Sequence, residues 1–156
     1  MVGVSMGGMV ATEIATRLNP AQTVLISSVP SSSQIPFYFK WASKFNLQQL
    51  VPVSLFKSAS ILKRFFTTET PEDKIILKQL IRESDPVFVK WAMDAILKWD
   101  GPGSLINYVH IHGTRDELLP LRFTKPTHKI AKGGHLMVLN RADEINQILS
   151  EVLSED

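Results

Sequence analysis

Gly3-Val4-Ser5-Met6-Gly7 sets two glycines around one serine within a few residues of Met1. No other stretch of the chain leaves so few options. Between an apolar pair and a helical pattern, Gly-x-Ser-x-Gly predicts a strand turning sharply into a helix, with a strained residue at its apex. The glycines are expected to serve a steric purpose, because a side chain at Gly3 or Gly7 would meet neighbouring backbone as the turn closes. Ser5 would then present its hydroxyl to the first N–H groups of a helix, where developing negative charge is favoured.

The remaining pattern alternates between sheet-like and purely helical stretches. Met1-Val2 supplies only the end of a strand. Met9, Val10, Ile14 and Leu18 recur at helical spacing beside Ala11 and Ala15, and Asn19-Pro20 ends that helix. Gln22 to Ser28 is a short apolar, β-branched run after a helix, which predicts a buried parallel strand. From Val29 to Asp100 the periodic segments are helical and punctuated by prolines. They are Phe37–Leu50, Ser54–Phe66, a helix begun by Thr70-Pro71-Glu72-Asp73 and ending near Ser84, and one begun by Asp85-Pro86. The aromatics of Phe37–Phe45 and Phe88–Trp99 are expected to be mostly the core of this helical layer, with some lining an acyl pocket. After Gly101-Pro102-Gly103 the sheet pattern resumes with Leu105–His112 and Thr127–Ala131. Asn140 is expected to cap a last helix with Ile145, Ile148, Leu149, Val152 and Leu153 on its buried stripe.

Bulk properties remove several classes. A 156-residue chain, 44% hydrophobic and 21% charged, supports one globular core and not two. Its formal charge of +2 is scattered, so no basic stripe argues for nucleic acid. The absence of cysteine excludes disulfides, thiolate metal sites and a cysteine nucleophile, and is compatible with a reducing cytoplasm. No apolar run is long enough to span a bilayer.

A serine hydroxyl needs a base to take its proton, and the base needs a carboxylate to orient it. Ser5 is followed by Asp116, in His112-Gly113-Thr114-Arg115-Asp116-Glu117-Leu118-Leu119-Pro120, and then by His135 in Gly133-Gly134-His135. In this order, each at the end of a predicted strand, the three motifs resemble the C-terminal part of an α/β-hydrolase, from its nucleophile elbow onward. The resemblance covers essentially the whole chain. It implies a mostly parallel sheet with flanking helices, residues 1–28 and 101–156 forming an incomplete core, and residues 29–100 sitting where the family inserts a helical cap.

By that match Ser5 is the nucleophile, His135 the general base and then acid, Asp116 the orienting carboxylate, and the Met6 N–H one oxyanion donor. Glu117 is the rival acid. Asp116 is preferred because the family pattern places the acid three residues after Gly113 and four before Pro120. The two glycines before His135 suit a tight approach to the elbow. His110 and His112 share one strand face and invite a metal pair, but no further histidine or carboxylate spacing supports one. His128 reads as a surface or strand-edge residue.

The resemblance implies neither cofactor nor metal. It points to a small-molecule substrate: a serine nucleophile leaves esters, lactones, thioesters, amides and carbon–carbon bonds, and an apolar cap favours a small to medium apolar ester. Two departures are evident. The strands that precede the elbow in this family, with the second oxyanion donor, have no counterpart, so an exposed sheet edge prone to self-association is expected. Little room is left between Asp116 and the last strand for the usual helix. A serine hydrolase and a non-catalytic fragment or interaction module of the same fold are therefore the two functions to separate.

Overall fold

The computed structural model describes residues 1–50, 52, 66, 68–102 and 107–154. The expected helix over Ser54–Phe66, apart from Phe66, and the start of the expected strand at Leu105-Ile106 lie outside these residues.

Four parallel strands form one sheet in chain order: β1 (Val2–Val4), β2 (Thr23–Ile26), β3 (Tyr108–Gly113) and β4 (His128–Ile130). Because all four run the same way, every strand releases its chain at the same edge of the sheet. Ser5, Ser27-Ser28, Asp116 and His135 all lie just beyond those carboxyl ends, the edge at which open α/β sheets place ligands. Backbone bonds continue the pairing past the strands: Ser5 N–H to Ile26 O at 2.9 Å, Ser27 N–H to Ile111 O at 3.0 Å, and Thr114 N–H to Ile130 O at 3.0 Å.

Side-chain alternation divides the sheet into two faces. Val24, Ile26, Ile111 and Ile130 pack with Met137 and with Ile145 of the last helix, α7 (Ala142–Leu153). The opposite face carries Gly3, Leu25 and His110, which are register partners. The first helix, α1 (Met6–Leu18), lies over that face, since a Cβ on Gly3 would run into its first turn. The buried side of α1 is Gly8, Met9, Ala11, Thr12 and Ala15. Val10 and Leu18, expected inside, are instead 46% and 73% exposed. Gly8, Ala11 and Ala15 allow the close approach to the sheet, Met9 joins the cluster with Val29, Ile35 and Leu119, and Val10 and Leu18 fall outside that face.

Between β2 and β3 the described residues form helices: α2 (Phe37–Lys44), α3 (Leu47–Leu50), α4 (Pro71–Glu83) and α5 (Pro86–Lys98), with a 3₁₀ turn at Ser32–Gln34. Thr70 and Asp73 form a reciprocal capping box, and Asp85 caps α5 by accepting from the Phe88 N–H. Phe39, Ile96 and Trp99 reach down onto a buried cluster of Met9, Val29, Ile35 and Leu119. The other aromatics are not core as expected. Phe37, Trp41, Phe45, Phe88 and Trp91 are all more than half exposed, pairing with one another or with Phe123 in ring contacts. Only one side of the α2–α5 pair reaches the apolar cluster below.

One further expectation is corrected. Asn140 does not cap α7. It ends a separate short helix, α6 (Met137–Asn140), and its amide donates to Asp73 at 3.0 Å. A single 3₁₀ turn (Leu121–Phe123) fills the short stretch before β4. On the far side β1 pairs only with β2 among the described residues, and Val2 and Val4 are exposed. Among the described residues no helix is long and apolar enough to cross a membrane.

The glycines of the strand–helix turn divide differently from the expectation. A Cβ on Gly3 would lie 2.3 Å from Gly7 O, and one on Gly8 2.3 Å from Ser28 Oγ, whereas one on Gly7 would meet nothing within 4 Å. Gly7 contributes its backbone to the close contact while its own Cβ direction is open. Gly3→Ala and Gly8→Ala should therefore each lower the thermal midpoint clearly. Gly7→Ala should leave it unchanged or raise it, since alanine is favoured over glycine in a helix by ~0.5–1 kcal/mol. Thermal melts of the three variants decide this, and a Gly7→Ala loss as large as that of Gly3→Ala would contradict the assignment.

Candidate active site

Ser5 occupies the apex of the turn with φ 51° and ψ −122°, a region that residues with a Cβ rarely adopt. Three hydrogen bonds hold it there. Its N–H donates to Ile26 O at 2.9 Å, and its carbonyl accepts from the Gly8 N–H at 2.9 Å and the Ser28 hydroxyl at 2.7 Å. The Ser28 hydroxyl can reach the turn because Gly8 leaves the space. Met6 begins α1, so its N–H has no partner within the helix and is free to face a developing oxyanion.

The acid and base loops are joined at their glycines. A Cβ on Gly113 would stand 2.2 Å from Gly133 O, and the Arg115 N–H donates to that same carbonyl at 2.9 Å. The tight approach expected of the glycines before His135 is thus made to Gly113, not to the turn at Ser5. From these joined loops His135 reaches both partners: Nδ1 lies 2.8 Å from Asp116 Oδ2 and Nε2 lies 2.9 Å from Ser5 Oγ. A carboxylate only accepts, so Nδ1 carries the proton and Nε2 turns its lone pair to the serine hydroxyl. His135 and Asp116 are 2% and 3% exposed. The other Asp116 oxygen accepts from the Leu118 and Leu119 N–H groups at 2.9 and 2.8 Å, which fixes the carboxylate plane. Glu117, the rival acid, is exposed, and the carboxylate bonded to His135 is that of Asp116.

Several neighbours carried no sequence signal of their own. Phe66 meets the His135 ring edge-on, with centroids 5.8 Å apart. Asp73, 4% exposed, accepts from the Glu69 and Thr70 N–H groups and from the Asn140 amide, while Arg141 pairs with Glu69 at 2.8 Å. These contacts fasten the start of α4 to the segment that follows His135. Trp99 Nε1 donates to Glu13 at 2.8 Å, fastening the end of α5 to α1. Helical spacing in the sequence marks each residue's own face but not its partner 67 or 86 positions away.

His110 and His112 are fully buried on the same strand face. His110 Nε2 lies 3.2 Å from His112 Nδ1, and His112 Nε2 lies 2.8 Å from Leu119 O. Among the described residues, no group of three or more His, Cys, Asp or Glu is placed to hold a metal ion. His128 lies on the edge strand β4, its Nδ1 2.9 Å from Thr127 Oγ1.

The sequence model of the alpha/beta hydrolase family matches residues 1–148, and the chain belongs to that family. No curated protein was found to match the sequence. Among solved structures, a thermophilic esterase from Thermogutta terrifontis superposes with a TM-score of 0.66 at 19% identity, covering 99% of this chain and 64% of that one. The enol-lactonase of Burkholderia xenovorans gives 0.60 at 18% identity, over 98% and 64%. A meta-cleavage product hydrolase from Pseudomonas fluorescens gives 0.58 at 17%, over 99% and 64%. At these identities the likeness establishes the fold, and this chain spans about 64% of the length of those structures.

Burial lowers the proton affinity of both strand histidines. Desolvation, then the proximity of His112, lowers the His110 pKa from 6.5 to about 4, against a smaller opposing effect of the Ser28 backbone. Desolvation also lowers His112, against the pull of Asp116 and the Leu119 carbonyl. Above about pH 6.5 His110 is neutral both folded and unfolded, so folding carries no protonation cost. Between 6.5 and about 4 the unfolded chain binds a proton that the folded chain refuses, and stability falls by roughly 3 kcal/mol across that window. Urea midpoints measured at neutral pH and at about pH 5 should therefore drop less in His110→Gln than in the unsubstituted chain. An equal drop in both would contradict a neutral buried His110.

Proposed function

We propose that this chain carries the catalytic centre of a serine hydrolase that cleaves a small to medium apolar carboxylic ester through an acyl-enzyme. The observation that carries the proposal is His135, held between the Asp116 carboxylate at 2.8 Å and the Ser5 hydroxyl at 2.9 Å. In this reading Ser5 Oγ attacks the ester carbonyl while its proton passes to His135 Nε2. The resulting oxyanion is stabilised by the Met6 N–H at the start of α1. As the tetrahedral adduct collapses, the carbon–oxygen bond to the alcohol breaks and the alcohol leaves with the proton from Nε2. Water, deprotonated by the same nitrogen, then attacks the acyl-serine and releases the acid. Asp116 keeps Nδ1 protonated throughout and balances the imidazolium charge.

Residues 29–100 act in this reading as a cap over the carboxyl edge of the sheet. In support, Phe39, Ile96 and Trp99 descend onto Met9 and Leu119, and Phe66 stands against the His135 ring. An apolar ring beside the base favours a hydrophobic acyl or alcohol group. The neighbours named as an esterase and an enol-lactonase suit an acyl–oxygen bond.

Hydrolysis of p-nitrophenyl butyrate by the natural full-length gene product tests this. Ser5→Ala should reduce turnover to background. Asp116→Asn should lower kcat by ~10⁴-fold, because the amide favours the wrong histidine tautomer. Glu117→Gln should remain near the unsubstituted rate. Near-normal turnover in Asp116→Asn with loss in Glu117→Gln would overturn the assignment of the acid, and full activity in Ser5→Ala would overturn the mechanism.

A further inference from the structure

We propose that His110 and His112 form a two-histidine relay that positions Asp116 for His135. This builds on the functional reading above, but it concerns residues that the hydrolytic steps do not use.

The relay can be read from its terminus backward. Leu119 O only accepts, so the 2.8 Å contact requires that His112 Nε2 bear a proton. A neutral His112 then has a bare lone pair on Nδ1, and the group facing it is His110 Nε2 at 3.2 Å, which must donate. His110 Nδ1 is left as an acceptor; the Ser28 backbone stands near it, but the geometry is outside that of a hydrogen bond. The reverse relay would start from a proton on His110 Nδ1, near the Ser28 backbone. It would end with the His112 Nε2 lone pair against the Leu119 carbonyl and the Asp116 carboxylate, and that contact is repulsive. Hence the Leu119 carbonyl fixes the His112 tautomer, His110 supplies the matching donor behind it, and that tautomer points an N–H at the acid loop.

Two consequences fall on Asp116. Leu119 is gripped at both backbone groups: its carbonyl accepts from His112, and its N–H donates to Asp116 Oδ1 at 2.8 Å. The same His112 Nε2 lies 3.6 Å from Asp116 Oδ2, the oxygen that accepts the hydrogen bond from His135 Nδ1–H. At that distance it is an electrostatic neighbour rather than a hydrogen bond, and it favours the carboxylate rotamer that faces His135. His112 and His110 are therefore positioning residues, acting through the 116–119 turn.

The chain contains four histidines, so their ring nitrogens and protons can be assigned individually by ¹⁵N-edited NMR. At neutral pH the relay requires both His110 and His112 to be neutral with the proton on Nε2, and a downfield Nδ1 proton on His135 bonded to Asp116. In His112→Leu, with dispersed backbone amide signals, that downfield proton should move upfield or vanish into exchange. His112→Gln, whose amide can still donate to Leu119 O, should retain it. A His112 proton on Nδ1 in the unsubstituted chain overturns the relay. So does a His135 resonance unchanged in folded His112→Leu. If His112→Leu does not fold, the unsubstituted tautomers and the His112→Gln spectrum decide. None of these readings needs turnover. A chain with the expected spectra but no ester hydrolysis refutes the functional reading alone, and the opposite result refutes the relay alone.

Discussion

The backbone of Ser5 is the constraint on which the rest of the structure depends. A residue with a Cβ held at φ 51° costs on the order of 1–3 kcal/mol, and such a conformation persists only where its surroundings over-determine it. Here they do so from three sides: β2 accepts the Ser5 N–H, while Ser28 and the first turn of α1 bind its carbonyl. Gly3 and Gly8 allow these groups to come so close. The conformation turns the hydroxyl away from the sheet and toward the loop after β4, where His135 waits.

A second close approach serves the partners. Gly113 and Gly133 meet with no room for a side chain, so the acid and base loops pack backbone against backbone. Buried hydrogen bonds then fix each member: two backbone N–H groups on one Asp116 oxygen, and the His135 ring on the other. The α4–α5 pair is attached at both ends. Trp99 bonds to Glu13 on α1, and Asp73 and Glu69 bond to Asn140 and Arg141 beyond His135. These contacts tie the helices to the chain on either side of Ser5 and His135.

The parallel architecture and the three residues at its edge were legible because each follows a short apolar run, and because serine, acid and histidine fall in the order of the α/β-hydrolases. What escaped was what depends on contact between distant segments. Gly7 was credited with a clash that belongs to Gly8, because the spacing of a turn does not tell which Cβ direction points at Ser28. Val10 and Leu18 fit a helical stripe, yet close packing on the sheet chose Gly8, Ala11, Thr12 and Ala15 instead. Asn140 had the chemistry of a cap, and the structure uses it to reach Asp73. His-x-His was visible as a pair on one strand face, but its role depends on the Leu119 carbonyl, which only the folded turn brings within reach.

The central claim is that this geometry makes Ser5 a nucleophile, and covalent labelling tests it most directly. Exposure to a fluorophosphonate, followed by intact-mass measurement and peptide mapping, should give a single adduct on Ser5. His135→Gln should suppress it without unfolding the chain, since the adduct forms only if a base takes the serine proton. An unmodified Ser5 in a folded chain, or an adduct that forms as fast in His135→Gln, would contradict the account.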